Sequence, residues 1–173
     1  MRTRAISAEE ARRIWANSDA RHRVIQWALG ETGLRVGDLL QLKREDLAHS
    51  KDGFSLIQQK TGSPVRVVLT PELRDSMLTL ARDKEYVFWS PTKPSQPISR
   101  VAVYRYIGRR VNDLYGGGIK AKKQRIGVHS FRKFAAVTWW QQGMSLKEIQ
   151  TRLGHDKIGT TLIYLQEVLD RRA

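Results

Sequence analysis

The sequence predicts a mainly α-helical protein carrying one small antiparallel β-hairpin, an α+β fold class. Three observations lead there. Helix-start signals recur along the chain, among them two capping boxes, Ser7-Ala-Glu-Glu10 and Ser145-Leu-Lys-Glu148. Apolar residues after such signals return at three- and four-residue spacing, the period of a helix with one buried face. Only the stretch between Phe54 and Leu69 changes to a period of two.

Taken in order, Ser7 opens a first helix that runs to about Ala16. Asp19 caps a second, whose Val24, Trp27 and Ala28, with Leu34 beyond its turn, face a core. Gly33 breaks that run, and Val36 to Leu42 forms a short helix with Leu39, Leu40 and Leu42 inward. Phe54, Leu56 and Gln58 then alternate with Ser55, Ile57 and Gln59. Lys60-Thr-Gly-Ser-Pro64 turns the chain into Val65-Arg-Val-Val-Leu69, a hairpin with its turn near Gly62. Thr70-Pro71-Glu72 starts a helix to about Arg82, with proline at the first helical position, where a missing N–H is tolerated. Pro91 to Pro97 is a loop, and Ser99 caps a helix through about Leu114. Gly116-Gly-Gly118 and the following Ile-Lys-Ala-Lys-Lys-Gln-Arg125 are expected as a flexible basic connection. Four helices complete the chain: about Ser130 to Gln142, Ser145 to a stop at Gly154, about Lys157 to Tyr164, and a short tail to Arg172. No internal repeat or composition shift divides the chain, so residues 1–173 are expected as one domain.

Composition narrows the function. With no cysteine, disulfides and thiolate metal sites are excluded. No apolar run approaches the roughly 18 to 20 residues of a membrane span, and Met1 to Ile6 lacks the apolar stretch of a signal peptide. The expectation is a soluble intracellular protein with no membrane partner. Lysine and arginine total 31 against 17 acidic residues, a formal charge of +14. A surplus that large points to a polyanionic partner, DNA or RNA, with a merely solubilising surface as the plainer reading.

The last third of the chain carries the chemistry. His129-Ser-Phe-Arg132 is followed by Leu153-Gly154-His155, and a lone Tyr164 stands nine residues beyond that histidine. A tyrosine hydroxyl, with a pKa of about 10, is a poor nucleophile unless its proton is removed or its anion stabilised. A phosphodiester also repels nucleophiles, so attack on it needs cationic donors at the phosphate oxygens and an acid for the departing oxygen. Arginine suits the first task, being always charged and forked to match two oxygens. His129 and Arg132 share one face at the start of a helix, although a helix cap with a surface arginine would look the same. His22 and His49 lie in polar stretches without paired carboxylates, so no metal site is read. Trp139 and Trp140 are read as core.

The combination resembles the C-terminal signature of the tyrosine recombinase (phage integrase) family. The same resemblance extends to Thr32-Gly33-Leu34-Arg35 near the start and to Gln59-Lys60-Thr61-Gly62 on the hairpin, so it covers about residues 7–166. It implies the family's DNA breaking-rejoining catalytic fold and a set of roles. Tyr164 would be the nucleophile, forming a 3′-phosphotyrosine and releasing a 5′-hydroxyl. Arg35 and Arg132 would clamp the scissile phosphate, and Lys60 would protonate the leaving 5′-oxygen. His129 would handle the tyrosine's proton and His155 would hydrogen-bond the phosphate. Asp38 would support the site by orienting a neighbour; many relatives carry Ser-Glu where Gly37-Asp38 stand. Neither ATP nor a metal nor any other cofactor is implied.

The partners implied are double-stranded DNA and three further protomers, four acting on two DNA sites. The setting would be the cytoplasm, with the protein bacterial or phage-encoded and nucleoid-associated. Family members usually carry an N-terminal helical domain that closes around DNA; the sequence begins where the catalytic domain would, and that half is absent from it. Lys120, Lys122, Lys123 and Arg125 precede His129 and are candidates for DNA contact, as are Arg105 and Arg109, which share much of one helix face with Arg110. Leu165, Val168 and Leu169 would form an apolar stripe, docking on a neighbouring protomer or packing back on the same one. Two other functions stay open: DNA relaxation of the type IB topoisomerase kind, and a DNA-binding regulator that does not cleave.

Overall fold

The computed structural model describes residues 3–49 and 53–169. Its helices are α1 (Ala8–Ala16), α2 (Ala20–Thr32), α3 (Val36–Leu40), α4 (Arg44–Ala48), α5 (Pro71–Ala81), α6 (Arg100–Tyr115), α7 (Gly118–Lys123), α8 (Val128–Gln141), α9 (Leu146–Leu153) and α10 (Ile158–Leu169). A two-stranded sheet, β1 (Phe54–Ile57) and β2 (Pro64–Val67), stands between α4 and α5.

Local chemistry explains most boundaries. At α1 the Ser7 hydroxyl accepts from the Glu10 amide at 3.1 Å while the Glu10 carboxylate accepts from the Ser7 amide at 2.9 Å, the reciprocal box the sequence predicts. Asp19 accepts from the His22 amide to open α2. Gly33 ends it at φ 63°, its amide donating to the Leu29 carbonyl at 3.1 Å. A Cβ at Gly33 would lie 2.7 Å from the Trp139 ring, so glycine is needed both for the left-handed backbone and for close approach. The strands pair antiparallel with Phe54 opposite Val67 and Ile57 opposite Pro64, burying Val65 and Val67 on one face. The second strand stops at Val67, short of the expected Leu69.

The core centres on α2 packed against α8. Ile25, Ala28 and Leu29 form the fully buried stripe of α2, with Val24 and Trp27 at its edge. Helices α1 and α5 also pack on α2, while α9 and α10 pack on α8 and on each other, and α9 touches β2. Helix α8 spans two apolar clusters, giving Val128 and Phe131 to the larger and Ala135, Ala136 and Trp139 to the smaller. Trp139 is thus core, as expected, with Trp140 partly buried beside it.

The structure corrects three expectations. The basic connection after Gly116 contains a helix, α7, because nothing between Ile119 and Lys123 breaks one and Ala121 buries its side chain. Helix α4 was not foreseen; it is too short to show a period, and it starts where the Asp46 carboxylate accepts from the Lys43 amide at 2.8 Å. The expected break after Tyr164 is absent. Thr161, Leu165 and Leu169 continue one inward stripe, so α10 runs through the tyrosine to Leu169. The expected tail beyond Leu169 lies outside the described residues, as does the Val168 side chain. Leu165 is fully buried with its own chain's Ala135, Ile149 and Leu153, and Leu169 packs against that cluster, so those two residues pack back on the same subunit.

Candidate active site

Arg35, Asp38, Lys60, His129, Arg132, His155 and Tyr164 line one cleft of about 490 Å³, together with Val36, Gly37, Gln59, Arg100, Tyr104 and Thr160. Asp38 comes from α3, and the other six of the first seven arrive from five places in the chain. Arg35 leaves the turn after α2, Lys60 the hairpin turn, His129 and Arg132 the first two turns of α8, His155 the end of α9, and Tyr164 the middle of α10.

Arg132 is the most constrained. It is 2% exposed, and its two terminal nitrogens donate to the carbonyls of Gly33 and of Leu153, the second at 2.6 Å. Those carbonyls end α2 and α9, so the guanidinium ties three helices together. No carboxylate pairs with it among the described residues, and its Nε has no partner. Burial pushes its pKa down to about 10, the facing Tyr164 hydroxyl pulling the other way, so it stays charged near neutrality. A buried cation whose hydrogen bonds go to two carbonyls, with no carboxylate in contact among the described residues, is short of counter-charge, and an anion in the cleft would supply it.

Gln58 links the other parts. Its Oε1 accepts from Arg35 and, at 3.2 Å, from the Thr61 hydroxyl, while its Nε2 donates to the Leu153 carbonyl at 3.1 Å. Gly154 makes room for it: at φ 60°, a Cβ there would lie 2.5 Å from Gln58 Oε1. Asp38, 5% exposed, accepts from the Gln59 amide at 3.0 Å. The carboxylate thereby fixes the backbone that presents Lys60, which is exposed and makes no side-chain hydrogen bond or ion pair among the described residues.

Both histidines are biased toward the neutral ring. Burial, and then Arg132 and Arg35, lower His155 to about 3; its Nδ1 lies 3.0 Å from the Thr161 hydroxyl. Partial burial, with Arg132, Lys60, Arg35 and Lys133 around it, lowers His129, whose Nε2 sits 3.2 Å from the Tyr104 hydroxyl. The His155 ring meets Tyr164 edge-on at 4.9 Å between centroids. Arg35, Lys60, Arg100 and Arg132 thus surround a cleft in which Asp38 is the one lining carboxylate among the described residues.

The proposed DNA-contact residues fall elsewhere. Lys120, Lys122 and Lys123 are exposed on α7 and Arg125 follows it at φ 52°; none lines the cleft. Arg105 and Arg109 are exposed on α6 and line a separate groove against the Pro91–Pro97 loop. Sequence reasoning gave no role to Gln58, Arg100, Tyr104, Thr161 or Lys133. Gln58 carried a signal, a polar residue in phase with the inward Phe54 and Leu56; Tyr104 carried none.

Cationic side chains are thus grouped round a half-buried tyrosine on a mainly helical fold. The chain matches the phage integrase family over residues 4–169, and it belongs to that family. Tyrosine recombinase XerA of Pyrococcus furiosus is 31% identical over 153 residues, which are 83% of this chain and 49% of that protein. A tyrosine recombinase of Pseudothermotoga lettingae is 31% identical over 142 residues, 79% of this chain and 46% of its own length. The chain therefore spans about half the length of the curated relatives it matches. The crystal structure of XerA recombinase superposes with a TM-score of 0.73 at 26% identity, over 99% of this chain and 64% of that one. The lambda integrase catalytic core shares the fold, with a TM-score of 0.67 at 24% identity over 89% and 92% of the two chains.

Proposed function

We propose that this chain is the single catalytic domain of a site-specific DNA recombinase that cleaves and rejoins DNA through a 3′-phosphotyrosine. The observation that carries the reading is the convergence of Arg35, Lys60, His129, Arg132, His155 and Tyr164 on one cleft from distant parts of the sequence.

In this reading a scissile phosphate enters beside Arg132, whose uncompensated charge it neutralises, and Arg35 takes a second oxygen. If Thr161 donates to Nδ1 of neutral His155, the ring keeps its proton on Nε2 and offers it to the phosphate. Neutral His129 accepts the proton of Tyr164 as the phenolic oxygen attacks phosphorus. The bond from phosphorus to the 5′-oxygen breaks, and Lys60 protonates that oxygen. The tyrosyl phosphodiester keeps the bond's energy, so a 5′-hydroxyl from another strand can reverse the step. Lambda integrase has been solved as a dimer bound to a core site and as a tetramer bound to a Holliday junction. By the same reading this chain acts on double-stranded DNA as four protomers on two sites, in the cytoplasm and at the nucleoid. No helix among the described residues is long and apolar enough to cross a membrane.

The test is covalent trapping on nicked duplexes from a randomised pool, which lose a short 5′ fragment on cleavage. A DNA-linked band on a denaturing gel is expected with the parent protein and not with Tyr164→Phe, which should keep nearly the same DNA affinity. An adduct with the phenylalanine variant would remove Tyr164 from the role.

A further inference from the structure

Lys133 is absorbed by none of these roles. It follows Arg132 on α8, is 8% exposed, and does not line the cleft. Its ammonium donates to the Thr3 carbonyl at 2.6 Å and stands over the Tyr164 ring, 5.5 Å from the centroid. Burying a lysine is expensive unless its charge meets compensating groups. Here a backbone carbonyl and an aromatic face are among them.

The carbonyl is itself held in place. The amide of Arg4 donates to the Arg125 carbonyl at 3.0 Å and its Nε to the Gln124 carbonyl at 2.8 Å. Its guanidinium pairs with Glu10, which also accepts from the Tyr115 hydroxyl at 2.9 Å. Ala5 packs against the same apolar cluster as Tyr164, and Ile6 is buried. The segment from Thr3 to Ile6 is thus stitched to the loop before α8, and its first carbonyl aims at the amine beneath the tyrosine.

We propose that Lys133 is a positioning residue for Tyr164, holding the ring and favouring its phenolate. The proposal rests on Tyr164 being the nucleophile. A cation near an aromatic face is drawn by the ring's quadrupole, an attraction that strengthens with desolvation. When the hydroxyl loses its proton, negative charge spreads into the ring, and the attraction becomes one between opposite charges. The ammonium therefore stabilises the attacking form more than the resting one. The Thr3 carbonyl keeps the amine at that distance, so the N-terminal segment takes part in tuning the nucleophile.

Titration of Tyr164 tests this without relying on catalysis. Its Cζ resonance in isotope-labelled protein is assigned by its loss in Tyr164→Phe. Lys133→Met should raise the Tyr164 midpoint by about one pH unit, and Lys133→Arg should bring it back. Lys133→Gln, which keeps a donor for the Thr3 carbonyl without the charge, should give the same rise if the methionine variant fails to fold. A midpoint unchanged in the uncharged variants overturns the proposal. In the trapping assay the uncharged variants should form adduct about tenfold more slowly near pH 7, the deficit shrinking as pH rises. A deficit constant with pH would mark a purely structural lysine. Absence of adduct from the parent protein on every duplex would count against the recombinase reading, while the titration would still decide the lysine's effect.

Discussion

Lys60 reaches the cleft from a turn that is held through its backbone, by Asp38 on the Gln59 amide, while its own amine is uncommitted among the described residues. An acid meant to release a proton once per reaction is well served by that arrangement, since no structural bond has to break. Lys60→Ala should slow cleavage of ordinary duplex by about 10²–10⁴-fold, the usual worth of a general acid. A duplex with sulfur in place of the bridging 5′-oxygen should recover most of that rate, because a thiolate leaves without protonation. Equal slowing of both substrates would take the proton-donor role away from Lys60. At this scale the sequence was legible where spacing encodes contact: His129 and Arg132 lie one helical turn apart, and both line the cleft. Gln58 and Tyr104 were not, because the first acts by joining Arg35 to Leu153 and the second by meeting His129, and neither pairing leaves a local pattern.

Among elements, the helix ends carry most of the architecture. Gly33 closes α2 in the left-handed region and lets Trp139 of α8 and Leu153 of α9 come within contact of its backbone. Gly33→Ala combines a backbone penalty of about 1 kcal/mol with the cost of overpacking, about 1–3 kcal/mol, for a loss of about 2–4 kcal/mol. Urea denaturation should read this as a lower midpoint; a midpoint equal to the parent's would mean the contact relaxes freely. Helices bounded by chemically distinct residues were legible for this reason: Ser7 with Glu10, Asp19, Thr70 before Pro71, Ser99 and Ser145 each open a helix as expected. Elements decided by tertiary contact were not. Helix α7 depends on burial of Ala121, and the continuity of α10 past Tyr164 depends on Leu165 finding the cluster under α8.

For the whole molecule, pH is the most direct probe. His22, His129 and His155 all have folded pKa values below the ordinary 6.5, His155 at about 3, with burial the largest cause in each. The unfolded chain then takes up protons that the folded one refuses, so stability is full above about 6.5 and falls as the pH drops. Glu10, lowered to about 2 chiefly by its hydrogen bond with Arg4, adds a second loss only below its ordinary 4.5. Between those two values the histidines alone act, and one fully neutral histidine accounts for up to about 3 kcal/mol over that span. His155→Asn should flatten the decline measured by urea midpoints from pH 6.5 to 4.5. An unchanged slope would show that His155 is not what acid attacks.

The anchoring of Arg132 also bears on how such a chain decays once selection for recombination ends. Replacing that side chain would strip the Gly33 carbonyl of its donor, leave the Leu153 carbonyl to Gln58 alone and untie the ends of α2 and α9. Lys60 can drift at no structural expense. Copies that have fallen silent should therefore lose the hairpin lysine early and the buried arginine late. In such copies a surviving Arg132 reports an intact fold, whereas a surviving Lys60 reports an activity still under selection.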